Sequence, residues 1–217
     1  MIKICHFSDW HGKWVKLPEA DLYICTGDML PNFFLRKRGI VNSIFEEGQL
    51  DWIKNRPFPF RSFLGSPDAP VVVVRGNHDF INLGPHFGGE YFEVNLDSHR
   101  SVEYCGLKIG GFRGINPLSG RWCDEFSQRT RLGMLACLPE DLDVVVSHVP
   151  PKGILAWAWG CEEYAWQVTR WEDGTDTAPK LCCFGHIHES GGKTQEGDGI
   201  LFSNASCTYN EIELLLT

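Results

Sequence analysis

Four consecutive valines, Val71–Val74, constrain this chain more than any other feature. So short a run of β-branched residues is a strand rather than a helix, and without polar alternation both of its faces must be covered. Val144–Val146 makes the same demand. Similar runs bounded by Gly, Pro, Asp or Asn recur at residues 2–8, 21–26, 101–105, 107–111, 142–148, 181–184, 200–203 and 211–215. Between them, 43–55, 123–136 and 160–171 are expected helices, the last with two acidic residues in its first turn. Strands alternating with helices predict an α/β core. The turn Tyr104-Cys105-Gly106-Leu107 reads as a hairpin, so the sheets are expected to be mixed rather than purely parallel.

A length of 217 residues, 43% of them hydrophobic and 22% charged, with no low-complexity segment, fits one domain over 1–217. The nine cysteines are odd in number, include the adjacent Cys182 and Cys183, and sit partly inside apolar runs, which points to buried reduced thiols. With a strand-like N-terminus in place of a signal-peptide succession, a cytoplasmic location is expected. No apolar stretch approaches the roughly 20 residues that cross a bilayer, so no membrane partner is expected. The formal charge of −8 argues against general electrostatic attraction to long nucleic acids without excluding them. Arg36-Lys37-Arg38 is either a local phosphate attractor or a solvated surface turn.

Five strand ends concentrate the side chains that hold metals. They read Ser8-Asp9-Trp10-His11-Gly12, Thr26-Gly27-Asp28, Gly76-Asn77-His78-Asp79, Ser147-His148-Val149-Pro150-Pro151 and Gly185-His186-Ile187-His188-Glu189. Taken singly, each is an ordinary turn or helix cap. Together they place five of the eight histidines directly after strands, beside Asp or Asn or in an HxH pair. If these segments are extended, residues two apart point the same way, so Asp9 with His11 and His186 with His188 can each reach one cluster. Carboxylate and amide oxygens from Asp9, Asp28 and Asn77, mixed with imidazoles from four histidines, suit first-row ions such as Mn, Fe, Co, Ni or Zn, with Mn first. Seven ligands exceed what one ion takes from protein, so two divalent ions sharing a bridging Asp28 are expected.

The ordered set DxH, GD, GNHD, SHxPP and GHIH resembles the calcineurin-like metallophosphoesterase superfamily over nearly the whole chain. Gly160-Cys161-Glu162-Glu163, Pro179-Lys180-Leu181, the run from Phe184 to Glu189, and Asn204-Ala205-Ser206 are similar to its metallophosphoesterase-domain-containing (MPPED-like) branch. The resemblance implies a four-layer αββα sandwich with two mixed β-sheets and the metals at the carboxyl ends of the central strands. It assigns Asp9, His11, Asp28 and His188 to one metal, and Asp28, Asn77, His148 and His186 to the other. By the same resemblance, a hydroxide bridging the ions attacks phosphorus in line with the leaving oxygen. His78, unligated, would act on the leaving group or the phosphate charge, with Asp79 orienting its imidazole.

Where protein serine/threonine phosphatases of the superfamily continue the GD motif with Asp-Arg, this chain has Pro31-Asn32, which weakens that reading. Trp10 is either part of a substrate wall or packing. The aromatic stretch Trp157, Trp159, Tyr164, Trp166 and Trp171 is either core or a base-stacking platform. Arg113, Arg121 and Trp122 are weaker candidates for substrate contact. The expected activity is hydrolysis of a small phosphoester or nucleotide-type substrate, a phosphodiester ahead of a phosphomonoester. A protein phosphatase or a non-catalytic metal-binding scaffold is the alternative.

Overall fold

The computed structural model describes residues 1–32, 42–56, 59–174 and 176–215, and Arg36-Lys37-Arg38 lies outside them. The described strands are β1 (Ile2–Ser8), β2 (Leu22–Cys25), β3 (Val71–Val74), β4 (Tyr91–Val94), β5 (Ser101–Tyr104), β6 (Leu107–Gly111), β7 (Val144–Val146), β8 (Leu181–Phe184), β9 (Lys193–Gly197), β10 (Ile200–Asn204) and β11 (Thr208–Leu214). The helices are α1 (Asn42–Lys54), α2 (Gly84–Phe87), α3 (Gln128–Ala136) and α4 (Glu162–Glu172).

They form two sheets, ordered β11-β1-β2-β3-β4 and β5-β6-β7-β8-β10-β9. Within the first, β1 to β4 run parallel and β11 is antiparallel to β1. In the second, β6, β7, β8 and β10 run parallel, and β5 and β9 close the edges antiparallel. Both sheets are therefore mixed.

The valine runs show how the layers stack. Val72 and Val74 join Ile4, Leu22 and Ile24 in a core shared with Ile109, Val144, Val146, Leu181 and Cys183 of the other sheet. Val71 and Val73 point the opposite way, into a cluster with Trp52 and Ile53 of α1, Phe60 and Phe87. On the outer face of the second sheet, Val145, Cys182, Phe184 and Phe202 pack with Met134 and Leu135 of α3 and with Tyr164, Val168 and Trp171 of α4. Helix, sheet, sheet, helix is the expected four-layer order. The strands read as continuous apolar runs because both faces are buried.

The 104–107 turn is a hairpin with Cys105 (φ 56°) and Gly106 (φ 73°) both left-handed, the geometry that matches strand twist. All nine cysteines are free and six are buried. No helix among the described residues is long and apolar enough to cross a membrane.

Two expectations change. The helix expected over 123–136 starts only at Gln128, capped by the Ser127 hydroxyl, which accepts the Thr130 N–H at 3.3 Å. Residues 123–127 instead belong to a loop whose acidic side chains are engaged elsewhere. Strands β4 and β9 were not expected. The Lys193–Gly197 strand is exposed along most of its length and its sequence KTQEG carries no apolar alternation to announce it.

Candidate metal centre

All five ligand-bearing segments leave the carboxyl ends of parallel strands, from β1, β2 and β3 of one sheet and β7 and β8 of the other. Asp9 and His11 are not extended: both are left-handed (φ 59° and 46°), as are Asp28 (55°) and His186 (69°). Such backbone is costly for non-glycine residues and persists where surrounding bonds impose it. Here the N–H groups of Asp9, His11 and Gly12 donate to the carbonyls of Gly27, Asp28 and Met29 at 2.9, 2.9 and 2.8 Å, tying the first two loops together. The Asp9/His11 pair thus converges by turning rather than by strand alternation. His186 and His188 diverge into different groups.

Glycines in the motifs permit close approach. A Cβ on Gly76 would stand 2.1 Å from Asp28 Oδ1, and one on Gly185 would stand 2.1 Å from Ser8 Oγ and 2.3 Å from Asp9 Oδ2.

Among the described residues, three sets of side chains offer ligand atoms within 4.8 Å of one another: Asp9, His11 and His188; Asp28, His148 and His186; and His11, Asp28 and His78. Asp9 Oδ2 accepts the Ser8 hydroxyl at 2.6 Å and the His186 N–H at 2.9 Å, while its Oδ1 lies 3.2 Å from His188 Nε2. Asp28 Oδ1 accepts the His78 N–H at 2.7 Å, while its Oδ2 faces His148 Nε2 at 3.4 Å and His78 Nε2 at 3.8 Å.

The donor set fits a cation. His148 is fully buried, and its Nδ1 lies 2.6 Å from the Thr26 carbonyl, so Nδ1 must carry the proton. In the neutral ring Nε2 is then a bare lone pair, 3.1 Å from Asn77 Oδ1 and 3.4 Å from Asp28 Oδ2, two further acceptors. With the Asn77 oxygen facing inward, three acceptor atoms converge in a buried site, an arrangement that a positive species among them satisfies. Without a metal a proton takes that place: burial opposes it, but the Asp28 carboxylate outweighs burial and raises His148 to about 10. Asp28 is likewise held well below the usual carboxylate range, His148 and His78 overcoming its burial. Burial, with His148 nearby, lowers His186 to about 4 and leaves it neutral, as a ligand must be.

Asp79 has a different task from the one expected. Its carboxylate makes no hydrogen bond to the His78 imidazole. Instead it is fully buried and accepts three backbone N–H groups, from Asp28 at 2.6 Å, Gly76 at 3.0 Å and Leu30 at 3.0 Å. It fixes the loop that presents Asp28. Burial first, then the Asp28 charge, raise it to about 7 against the Gly76 and Leu30 donors.

The neighbour of the His78 ring is Asn32, whose Oδ1 lies 2.5 Å from His78 Nδ1 while its Nδ2 lies 3.1 Å from His11 Nδ1. On the other side Trp122 lies against the His78 imidazole, ring centroids 4.2 Å apart. Trp122 is held by its loop. The Glu125 carboxylate accepts five successive N–H groups, from Leu118 to Trp122, and these bonds overcome partial burial to pull it down to about 2. The Cys123 N–H donates to the Asn77 carbonyl at 2.9 Å. Sequence reasoning noted Asn32 only as a departure; its contacts join positions 21 and 46 residues away, which no local pattern reveals.

Other candidates resolve differently. Trp10 is core, packed on Phe7 and Trp14 with its indole N–H on the Thr208 carbonyl, and forms no substrate wall. Arg113 is buried and shares Asp124 with Arg75, both through paired bonds of 2.7–2.8 Å. The aromatic stretch divides: Tyr164 and Trp171 are core, whereas Trp157 and Trp159 are 80% and 71% exposed.

A model of the calcineurin-like phosphoesterase family matches residues 2–190. The chain belongs to the calcineurin-like phosphoesterase family. Metallophosphoesterase domain-containing protein 1 of Homo sapiens is 34% identical over 236 residues, covering 94% of this chain and 65% of that protein, and the Mus musculus protein of the same name matches equally. These names are those of the branch that the sequence resembles. A protein of Emericella nidulans named probable rhamnogalacturonate lyase C is 26% identical over 207 residues, which are 89% of this chain and 18% of that protein. The chain thus spans less than two thirds of the length of each of these three relatives. The matched region contains all five ligand-bearing strand ends.

Proposed function

We propose that the chain is a two-ion phosphoesterase that hydrolyses small phosphodiesters, nucleotide-type esters among them, through residues 1–217 acting as one catalytic domain. The observation that carries the reading is the convergence of His148 Nε2, Asn77 Oδ1 and Asp28 Oδ2, acceptors with no donor among them unless a cation sits there. Asp9, His11, Asp28 and His188 would hold one divalent ion, and Asp28, Asn77, His148 and His186 the other, with manganese first among the candidates. When bound, such ions polarise phosphate oxygens and lower the pKa of water to supply the nucleophile. The chain's own part is orientation and proton management. Thr26 fixes the tautomer of His148 through its carbonyl, and Asp9 is aimed at His188 by the Ser8 hydroxyl and His186 N–H.

His78 would remain unligated and donate a hydrogen bond to the ester's leaving oxygen, its ring held between Asn32 and Trp122. Arg113, one of the two arginines the sequence offered for substrate contact, has its charge met by Asp124. That favours a diester, whose single negative charge asks less of the protein than a monoester dianion. Turnover of bis(p-nitrophenyl) phosphate and p-nitrophenyl phosphate with Mn²⁺ tests the reading. The diester should be cleaved faster, and Asn77→Ala should remove turnover. No hydrolysis of either ester with Mn²⁺, Co²⁺, Ni²⁺ or Zn²⁺ would overturn it.

A further inference from the structure

An amide between two imidazoles is an antisymmetric bridge. Asn32 presents an amino group on one side and a carbonyl oxygen on the other, so whichever way it faces, one ring nitrogen must accept and the other must donate. In this structure Nδ2 faces His11 Nδ1 at 3.1 Å and Oδ1 faces His78 Nδ1 at 2.5 Å. His11 Nδ1 is then the acceptor and its proton lies on Nε2, while His78 carries its proton on Nδ1. The side chain is exposed, so it can turn over and solvent can exchange the ring protons.

We propose that Asn32 couples metal ligation at His11 to the tautomer of His78. The inference rests on the two-ion reading. Asn32 occupies Nδ1 of His11, which leaves Nε2 as the nitrogen offered to the group with Asp9 and His188. A ligating Nε2 cannot keep its proton, so the neutral ring must carry it on Nδ1. His11 Nδ1 then needs an acceptor, and Asn32 supplies one by turning its oxygen to that side. Its amino group now faces His78 Nδ1, which becomes the acceptor, and the His78 proton moves to Nε2. Each ring keeps one proton throughout, exchanged through solvent.

The consequence is directional. His78 Nε2 is the nitrogen that looks into the site, 3.8 Å from Asp28 Oδ2. His78 therefore has a proton to offer an ester oxygen there only when the ion at His11 is in place. The ring has little freedom to escape the coupling, because Trp122 lies against it at 4.2 Å and His11 stands edge-on at 4.9 Å. A carboxylate at position 32 would accept from both rings at once and could not transmit the change.

Long-range ¹H–¹⁵N spectra of the ¹⁵N-histidine-labelled protein at pH 8, phosphate-free, with and without Zn²⁺, read both tautomers directly. The metal-free protein should show His78 protonated at Nδ1. Zinc should move the His11 proton to Nδ1 and the His78 proton to Nε2. In Asn32→Asp zinc should still shift His11, His148 and His186, which reports an intact loaded site, while His78 keeps its proton on Nδ1. A His78 tautomer that ignores zinc although His11 is ligated, or that switches identically in Asn32→Asp, overturns the coupling alone. No zinc shift at any of these histidines overturns the two-ion reading and the coupling with it.

Discussion

Asp79→Ala separates two roles for a buried carboxylate. If Asp79 served mainly to orient His78, its loss would slow chemistry and leave the fold untouched. The structure instead gives its two oxygens three backbone donors, from Asp28, Leu30 and Gly76. A buried N–H left without an acceptor costs about 1–3 kcal/mol, so three of them set a range of roughly 3–9 kcal/mol. Relief of the carboxylate's burial and of its repulsion with Asp28, which together raise Asp79 to about 7, works in the opposite direction, as does water entering the vacated space. A net loss of about 3 kcal/mol is therefore expected, toward the severe end of single substitutions. For a chain of this length each kcal/mol moves Tm by about 2–4 °C, so melting of the metal-free protein should fall by roughly 6–12 °C. Asp79→Asn, which keeps one carbonyl oxygen, should lose less. Calorimetry or circular dichroism melts of the three proteins make the comparison. A Tm within about 2 °C of the unsubstituted protein, combined with a large drop in kcat, would refute the loop-fixing role.

Three further outcomes follow from the site. His148→Ala should empty one metal position and remove turnover, whereas His78→Ala should retain both ions and lower kcat by about 10²–10⁴ if its proton is used; equal metal loss in the two variants would make His78 a ligand. His148 is raised from 6.5 to about 10, so the stability it confers is complete below 6.5 and is lost as pH rises toward 10; denaturant titrations of metal-free protein should show that decline, and bound Zn²⁺, standing in for the proton, should abolish it. Glu125→Gln should loosen the 118–122 loop and cost about 1–2 kcal/mol, with the ring-current shift of His78 moving as Trp122 leaves it. Because Glu125 is lowered from 4.5 to about 2, its contribution is present above 4.5 and lost as pH falls through 2.

The grouping of the site's side chains was legible because they are residue types placed at strand ends, and the strands themselves were marked by apolar runs such as Val71–Val74. The runs require cover on both faces without saying whether sheet or helix supplies it; the four-layer order came from the family resemblance. Backbone conformation was not legible: Asp9, His11, Asp28 and His186 adopt left-handed φ values, with the N–H groups of Asp9 and His11 tied to carbonyls of the second loop and those of Asp28 and His186 to the carboxylates of Asp79 and Asp9. Nor were the partners of carboxylates. Asp79 reads equally well as a histidine's orienter or a loop's acceptor, and only tertiary distance decides. The helix expected from Cys123 shortened for a similar reason, because Asp124 is taken by Arg75 and Arg113 and Glu125 by five backbone donors. The strand at Lys193–Gly197 is an exposed edge whose pairing with β10 comes from the backbone rather than from any side-chain pattern.

In the proposed function the strand-end loops hold two ions around Asp28. The most direct test of that reading is the metal content of protein dialysed against excess Mn²⁺ or Zn²⁺ and then washed, measured by inductively coupled plasma mass spectrometry beside the His148→Ala variant. Two ions per chain, falling to one in the variant, is the predicted result. A folded chain that retains no ion, or only one that His148→Ala leaves in place, would contradict it.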